Sequence, residues 1–252
     1  MTAALAVADH GFEVDLVEHS DRLGGNLKWL EKTLDGQRPQ ELLNEVDTSI
    51  EKHPKIRVHM KSRVVDSSGE VGNFHTTILD AQKAEQTLQH AVTILATGGM
   101  EATTSAYGYG TNPAIMTQKE LEQKLSNHHI DPARLNSVVM IQCVDSREEP
   151  RNYCSRVCCA NALKHALQLK ATNPELQIYV IYRDMMAYGF YESFYTRARK
   201  ANVTFIQYGV ADKPQVEIEQ NSVKVTVRDV LMERPLQIKA DLLVLASGIM
   251  PN

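Results

Sequence analysis

The spacing of apolar residues changes period several times along the first hundred positions. Ala3, Ala4, Leu5 and Val7 give a small-residue helical face, and Gly11 stands where a helix C-terminus takes a left-handed residue. Phe12, Val14 and Leu16 then alternate with polar or charged neighbours, which predicts a strand ending at Glu18. The helical period returns over residues 39–52, opened by Pro39, with Leu42, Leu43, Val46 and Ile50 on one face. Ile56, Val58 and Met60 read as a strand, with Val64 and Val65 just beyond it. Residues 74–94 alternate and break in the manner of a small antiparallel meander. Val92, Ile94 and Leu95 then run into Ala96-Thr97-Gly98-Gly99, which predicts a buried strand ending in a small-residue turn. Leu242–Leu245 followed by Ala246-Ser247-Gly248 repeats that pattern near the other end.

Residues 106–136 read as loop and helix. Thr117 and Glu120 have the spacing of a capping box at a helix start. SVVMIQCVD predicts a buried strand, ANALKHALQLK a helix and ELQIYVIYRD another strand. Strand, cysteine-rich loop, helix, strand is the order of a doubly wound sheet, so the chain is expected to be α/β with two Rossmann-like nucleotide-binding units. An acid at the end of the second strand of such a unit accepts hydrogen bonds from a ribose, and Glu18 has that place. The glycine-rich phosphate loop would lie roughly 20 residues earlier. No GxGxxG occurs in the chain, so the first strand and its glycine loop are expected to be missing, unless the fold never needed the loop. Gly24 and Gly25 follow a polar turn and could let backbone approach a ligand or make an ordinary tight turn.

Composition adds exclusions. With 252 residues, 43% hydrophobic and 23% charged, the chain is ordinary globular material for one or two domains. The formal charge of −4 argues against a nucleic-acid surface. No apolar run is long enough to cross a bilayer, and no signal-peptide pattern opens the chain; a soluble cytoplasmic protein without direct membrane insertion is expected. All four cysteines fall between positions 143 and 159. A secreted disulfide framework would spread them, so clustering points to a metal or redox site in a reducing compartment.

The spacing is C-x10-C-x3-C-C: Cys143 at the end of a buried strand, and Cys154, Cys158 and Cys159 at the entry to the next helix. Four thiolates can close a tetrahedral sulfur site suited to iron–sulfur or zinc. Arg147, Arg151 and Arg156, with the helix N-terminus, would offset the negative charge. Spacing alone leaves open an iron–sulfur cluster, structural zinc, a thiol–disulfide pair and inert buried cysteine. Elsewhere, His128-His129 reads as a solvated helix end. Tyr188, Phe190, Tyr191, Phe194 and Tyr195 could stack a cofactor, but read rather as core packing or a partner surface. Arg183 and Asp184 stand where a nicotinamide cofactor would be sensed, but no glycine loop accompanies them.

The stretch MIQCVDSREEPRNYCSRVCCANALKHALQLK, with GGNLKWL, VGNFHTTI, AYGYGTNP, IYVIYRDMMAYGF and LLVLASGIMPN, resembles the A-subunit family of heterodisulfide reductases across nearly the whole chain. That resemblance implies the FAD/NAD-linked disulfide reductase type of fold, with FAD and a [4Fe–4S] cluster. It implies that Cys143, Cys154, Cys158 and Cys159 are the cluster ligands, and that Glu18 binds the ribose. Arg22, Gly24, Gly25 and Asn26 correspond to the loop along the pyrophosphate and flavin edge. Val64 corresponds to the adenine-side strand, and Ala96, Thr97 and Gly98 to the turn under the FAD. The implied organisation is a partial FAD-binding domain over 1–105, an inserted NAD-domain-like unit with the cysteines over 106–239, and a return over 240–252. The implied role is electron transfer within a heterodisulfide-reductase-like complex, by a homo- or hetero-oligomeric protein working with the other subunits. An NAD(P)H-dependent thiol–disulfide oxidoreductase and a zinc-stapled interaction module are the competing expectations.

Overall fold

In the computed structural model, residues 1–219, 222–230 and 232–252 are described. Their contacts form two compact units, one of residues 1–30 and 38–98, the other of residues 31–37 and 99–252.

The first unit opens with helix α1 (Thr2–Asp9), which stops at Gly11 with φ 94°. The Gly11 amide donates to Ala8 O (2.9 Å) and the Phe12 amide to Val7 O (3.4 Å), the paired bonds of a Schellman cap. Strand β1 (Val14–Val17), helix α2 (Pro39–Lys52) and strand β2 (Ile56–His59) follow, and β1 pairs with β2 in parallel. Pro39 occupies the first turn of α2, where its missing N–H costs nothing. Leu43 and Ile50 are buried, whereas Leu42, expected on the same face, is 58% exposed. One residue is 100° of rotation, so the stripe through 43 and 50 leaves 42 outside.

Strands β3 (Arg63–Glu70), β4 (Asn73–Leu79) and β5 (Glu85–His90) form an antiparallel meander in the order β3-β4-β5. It begins at Arg63, earlier than the alternation from residue 74 suggests. The expected buried strand at 92–95 is absent: residues 92–98 are irregular, and Val92, Ile94 and Leu95 are 67%, 57% and 85% exposed. A strand needs a paired neighbour. Among the described residues no strand pairs with this stretch, and β1 pairs with β2 alone.

The second unit contains β6 (Gly99–Glu101), β7 (Ile115–Thr117), α3 (Gln118–Ser126), β8 (Ser137–Ile141), α4 (Cys158–Thr172), β9 (Gln177–Tyr182), α5 (Glu192–Lys200) and β10 (Val203–Gln207). Strands β11 (Gln215–Ile218), β12 (Val223–Arg228), β13 (Pro235–Ala240), β14 (Leu242–Leu245) and β15 (Ile249–Pro251) complete it. The central sheet is parallel, in the order β10-β9-β8-β14-β7. Val138, Met140 and Val244 face one way, into a core with Leu121 of α3, Leu163, Ala166 and Leu169 of α4, and Ala198 of α5. Val139, Ile141, Leu243 and Leu245 face the other way, against Val223, Val225 and Ile238 of the antiparallel meander β11-β12-β13. Burial on both faces explains why β8 and β14 are continuous apolar runs. The expected boundaries at 105 and 239 do not coincide with these units. Residues 99–105 and 240–252 lie in the second unit, where β14 pairs with β8 and β15 with β6.

The capping box forms as its spacing predicts. The Glu120 amide donates to Thr117 Oγ1 (3.2 Å), and the Thr117 amide donates to Glu120 Oε2 (2.8 Å). A second feature has no sequence signature. Glu122 of α3 is 3% exposed and accepts from Lys164 Nζ (2.7 Å), His165 Nε2 (2.5 Å) and the Glu31 amide (2.9 Å). Lys164 Nζ also donates to Lys32 O (3.0 Å). A buried carboxylate thus ties the segment 31–37 to α3 and α4. Burial pushes the Glu122 carboxyl up, but the His165 and Lys164 contacts outweigh it and hold the group at about 2. Burial pushes His165 below its ordinary value. Its buried Nδ1 has no hydrogen-bond partner among the described residues. A charged ring would bury an unpaired N–H there, so we assign neutral His165 donating from Nε2.

Candidate functional site

The order β10-β9-β8-β14-β7 reverses direction at β8: from β8 the chain moves outward through β9 to β10, while β14 and β7 lie on the opposite side. Open α/β sheets bind ligands at such a switch point, beyond the carboxyl ends of the strands. Cys143 lies there, two residues past β8, and Cys158 and Cys159 are the first two residues of α4. Cys154 lies in the connecting loop, where its Sγ accepts from the Arg156 amide at 3.4 Å.

The loop is held by its surroundings rather than by regular structure. Cys143, Asp145, Arg147 and Arg156 all have left-handed backbone, with φ of 60°, 47°, 64° and 59°. Non-glycine residues adopt that region at a cost of about 1–3 kcal/mol each, and such residues gather at functional sites. The Ala246-Ser247-Gly248 turn after β14 is the floor. The Val144 amide donates to Ala246 O (3.0 Å), and Arg151 Nη1 donates to Ser247 O (2.8 Å). The Ile249 amide donates to Ser155 Oγ (2.8 Å). Gly248 has φ 87°, and a Cβ there would sit 3.1 Å from Ser155 Oγ. Both its conformation and its closeness to the cysteine loop favour glycine.

All four cysteines are free thiols, and Cys159 is buried. They act on one another electrostatically: Cys158 feels Cys159, Cys143 and Cys154, and Cys159 feels Cys143 and Cys154. Burial is the largest influence. It pushes Cys158 up to about 12 and Cys159 up to about 11, the latter against a hydrogen bond from the Met186 backbone. Burial also raises Cys143, although Arg147 and Arg183 pull it down. The cationic surroundings and helix N-terminus therefore do not suffice to make these three thiols acidic. Among the described residues, no group of three or more His, Cys, Asp or Glu side chains forms a ready metal cage. Loading a metal would require the thiols to draw together.

The expected cations divide. Arg147 interacts with Cys143 and pairs with Asp184 (Nη2 to Oδ2, 2.7 Å). Arg151 serves the Ser247 carbonyl instead, and Arg156 is exposed. Arg183 replaces them: its Nη1 donates to Ser146 O (3.2 Å) and Arg147 O (3.4 Å). The thiol of Cys159 lies 3.8 Å from Asp184 O. Arg183 and Asp184, which stand where a nicotinamide cofactor would be sensed but lack an accompanying glycine loop, brace the cysteine loop. Of the aromatic set, Phe194 and Tyr195 pack on the core, while Tyr188 and Phe190 are 63% and 95% exposed. His128 and His129 follow α3 and are exposed.

The first unit holds the remaining candidates. Glu18 follows β1 and accepts from the Ser20 amide at 2.8 Å. Burial raises its carboxyl, but the Ser20 hydrogen bonds, with His19 and Lys28, leave it below the usual range, so it is a poised anionic acceptor. Arg22 O accepts from Lys28 Nζ at 3.0 Å. Gly24 has φ 109° and opens a short 3-10 helix over Gly25–Lys28. Asn26 Oδ1 accepts from Trp29 Nε1 at 3.1 Å. Glu18 is joined to the start of the meander by the Ser62 amide, which donates to Glu18 O (2.9 Å), and Val64 follows on β3, 54% exposed. Ala96, Thr97 and Gly98 lie in the irregular stretch between β5 and β6.

No protein-family model matches the chain. It is similar to an iron-sulfur A subunit of the CoB–CoM heterodisulfide reductase of Methanopyrus kandleri, with 28% identity over 344 residues, covering 98% of the chain and 51% of that protein. The A subunit of the H2/formate:CoB-CoM heterodisulfide,ferredoxin reductase of Methanococcus maripaludis is 38% identical over 156 residues, 57% of the chain and 24% of that protein. The chain spans about half the length of the curated relatives it matches. Among solved structures, thioredoxin reductase of Lactococcus lactis superposes with a TM-score of 0.63 at 15% identity, covering 100% of the chain and 74% of that structure. Thioredoxin reductase of T. acidophilum gives 0.62 at 14% identity, with the same coverage. The fold is that of the thioredoxin-reductase-like disulfide reductases. No helix among the described residues is long and apolar enough to cross a membrane.

Proposed function

We propose that this relative of heterodisulfide reductase A subunits is an electron-transfer segment of a flavin- and iron–sulfur-dependent oxidoreductase acting on sulfur compounds. The observation that carries this reading is the placement of four thiols at the switch point of a parallel sheet, where a disulfide-reductase fold would otherwise receive a nucleotide. The relatives' names contribute the iron–sulfur group and the heterodisulfide.

The donor set fits a [4Fe–4S] cluster. Four soft thiols come from two segments, and among the described residues the buried Arg147 Nη1 has no hydrogen-bond partner and could face an anionic group. Cys143, Cys154, Cys158 and Cys159 would hold the cluster, which supplies single-electron transfer when bound. Arg147 and Arg183 would balance the charge of the thiolates, and the floor made by Ser247 and Gly248 keeps the loop on the sheet. Replacing the thiol protons by metal also removes the conflict between burial and ionisation.

For FAD the fit is partial. Glu18 would accept from a ribose hydroxyl, and Arg22, Gly24, Gly25 and Asn26 would line the diphosphate and flavin edge, with Val64, Ala96, Thr97 and Gly98 around them. The 252 residues contain no glycine-rich loop, so they do not supply the phosphate contacts that such a loop makes. The flavin would exchange electron pairs, and other subunits of the complex would supply or accept them in the cytoplasm.

Anaerobic reconstitution tests the proposal, with iron, sulfide and zinc quantified beside the visible absorbance spectrum. About four iron and four sulfide per chain are expected. Zinc alone at one per chain would refute the cluster and favour the interaction module. No metal with two reactive thiols would favour the NAD(P)H-dependent thiol–disulfide oxidoreductase.

A further inference from the structure

Gln142 is completely buried, yet among the described residues neither atom of its side-chain amide has a hydrogen-bond partner. Its backbone is fully engaged. The amide donates to Ile181 O at 2.8 Å, and the carbonyl accepts from Tyr208 Oη at 2.9 Å. The residue therefore continues the register of β8 beside β9 and cannot turn its side chain freely. Val138 and Met140 face α3 and α4, while Val139 and Ile141 face the meander. Alternation places Gln142 with Met140, on the face covered by α4, whose first turn carries Cys158 and Cys159. The next residue is Cys143, and Arg147 Nη1, four residues further on, is also buried without a hydrogen-bond partner among the described residues.

An unpaired buried amide is destabilising, because it gives up its hydrogen bonds to water and gets none in return, and folded proteins carry few of them. A methionine or leucine would fill the same space without that cost. An unpaired glutamine amide at this position points to an acceptor that the described residues do not provide. Two buried donors that flank Cys143 along the chain would suit a ligand whose surface is sulfur.

Resting on the cluster reading above, we infer that Gln142 donates its side-chain N–H to a sulfur of the cluster or of its ligating cysteines, and so raises the reduction potential. The added electron makes the cluster more negative, so a donor aimed at its sulfur stabilises the reduced state more than the oxidised state. Gln142 acts through the sulfur and is a positioning residue, not a reacting one.

The test compares wild type with Gln142→Met, of similar volume without the N–H, and with Gln142→Glu, both as the full chain. Loaded Gln142→Met should keep its iron and sulfide content and show a lower midpoint potential in a redox titration. A tenfold change in the reduction equilibrium, about 59 mV for one electron, sets the upper scale. Gln142→Glu should shift further in the same direction. Metal-free Gln142→Met should melt above metal-free wild type, because its orphan amide is gone, while the loaded variant should not. An unchanged potential in a loaded variant overturns the inference alone, and is the result expected if the amide only holds a buried water. Failure of both variants to take up iron, or to fold without metal, also overturns it, since the amide would then support assembly or the metal-free fold. A wild-type chain that takes up no iron overturns the cluster reading first, and this inference with it.

Discussion

Replacing Glu122 by glutamine should destabilise the second unit by about 3–5 kcal/mol, the usual cost of removing one partner from a buried ion pair. The geometry says why. Glu122, Lys164 and His165 are 3%, 6% and 1% exposed, and the Glu122 carboxylate receives the Lys164 ammonium, the His165 ring and the Glu31 amide. In Glu122→Gln the amide could still accept from Glu31, but its NH2 would face two donors. The Lys164 ammonium would remain buried without a counter-charge. A carboxyl held at about 2 against an ordinary 4.5 gives an independent figure of about 3 kcal/mol, at 1.36 kcal/mol per pKa unit.

The only tryptophan, Trp29, lies in the first unit, so tyrosine fluorescence or near-ultraviolet circular dichroism should follow the second. At about 2–4 °C per kcal/mol for a chain of this size, the second unit should melt roughly 6–20 °C lower. Amide exchange over residues 31–37 should quicken before the rest of the unit opens. Lys164→Met in the same background should restore much of the loss, because it removes the stranded charge. The pH dependence has a definite sign. Glu122 is depressed, so its contribution is full above about 4.5 and is lost as pH falls toward about 2. His165 is also depressed, so stability begins to fall below its ordinary value of 6.5, where the unfolded chain takes up a proton that the folded chain refuses. Glu122→Gln should flatten the acid limb between about 4.5 and 2. A loss below about 1 kcal/mol, or no rescue by Lys164→Met, would refute the buried-charge account.

Three further outcomes are expected. Gly24→Ala should destabilise the first unit by about 1–3 kcal/mol, read by Trp29 fluorescence, because the left-handed backbone disfavours a side chain and the new Cβ would meet Leu43 at 2.7 Å. Thr117→Ala should cost about 1 kcal/mol and raise amide exchange in the first turn of α3, since Oγ1 both accepts from Glu120 and donates to Glu101 Oε2 at 2.7 Å. Cys158→Ser should sharply lower iron retention after anaerobic reconstitution while leaving the far-ultraviolet spectrum unchanged; wild-type iron content would remove Cys158 from the ligand set.

What the sequence revealed depended on how local the cause was. The capping box at Thr117 and Glu120 is closed within four residues, so its spacing sufficed. Strand β8 and helix α4 were readable because one is an unbroken apolar run and the other a long helical period. The stretch 92–95 has the same kind of run without the outcome, because a strand exists only beside a partner and none of the described strands lies alongside it. The segment 31–37 carries no apolar period at all. It is placed by two side chains from α3 and α4 that lie about ninety to a hundred and thirty residues further on.

At the cysteine site the same contrast separates the ligand candidates from their supports. The thiols announce themselves by residue type and clustering, whereas the groups that hold them are ordinary residues recruited from distant turns. Arginines near in sequence were the natural choice of counter-charge, yet Arg151 binds the Ser247 carbonyl and Arg183 comes from the end of β9 to brace the loop carbonyls. The Ala-Ser-Gly turn after β14 shows its role only once β14 lies against β8, where Gly248 leaves room for Ser155 and Ser146. Gln142 did leave a trace: a single amide inside the apolar run MIQCV. At the end of a strand buried on both faces, a side-chain amide with no partner among the described residues is the polar group that the fold itself accounts for least, and it adjoins Cys143.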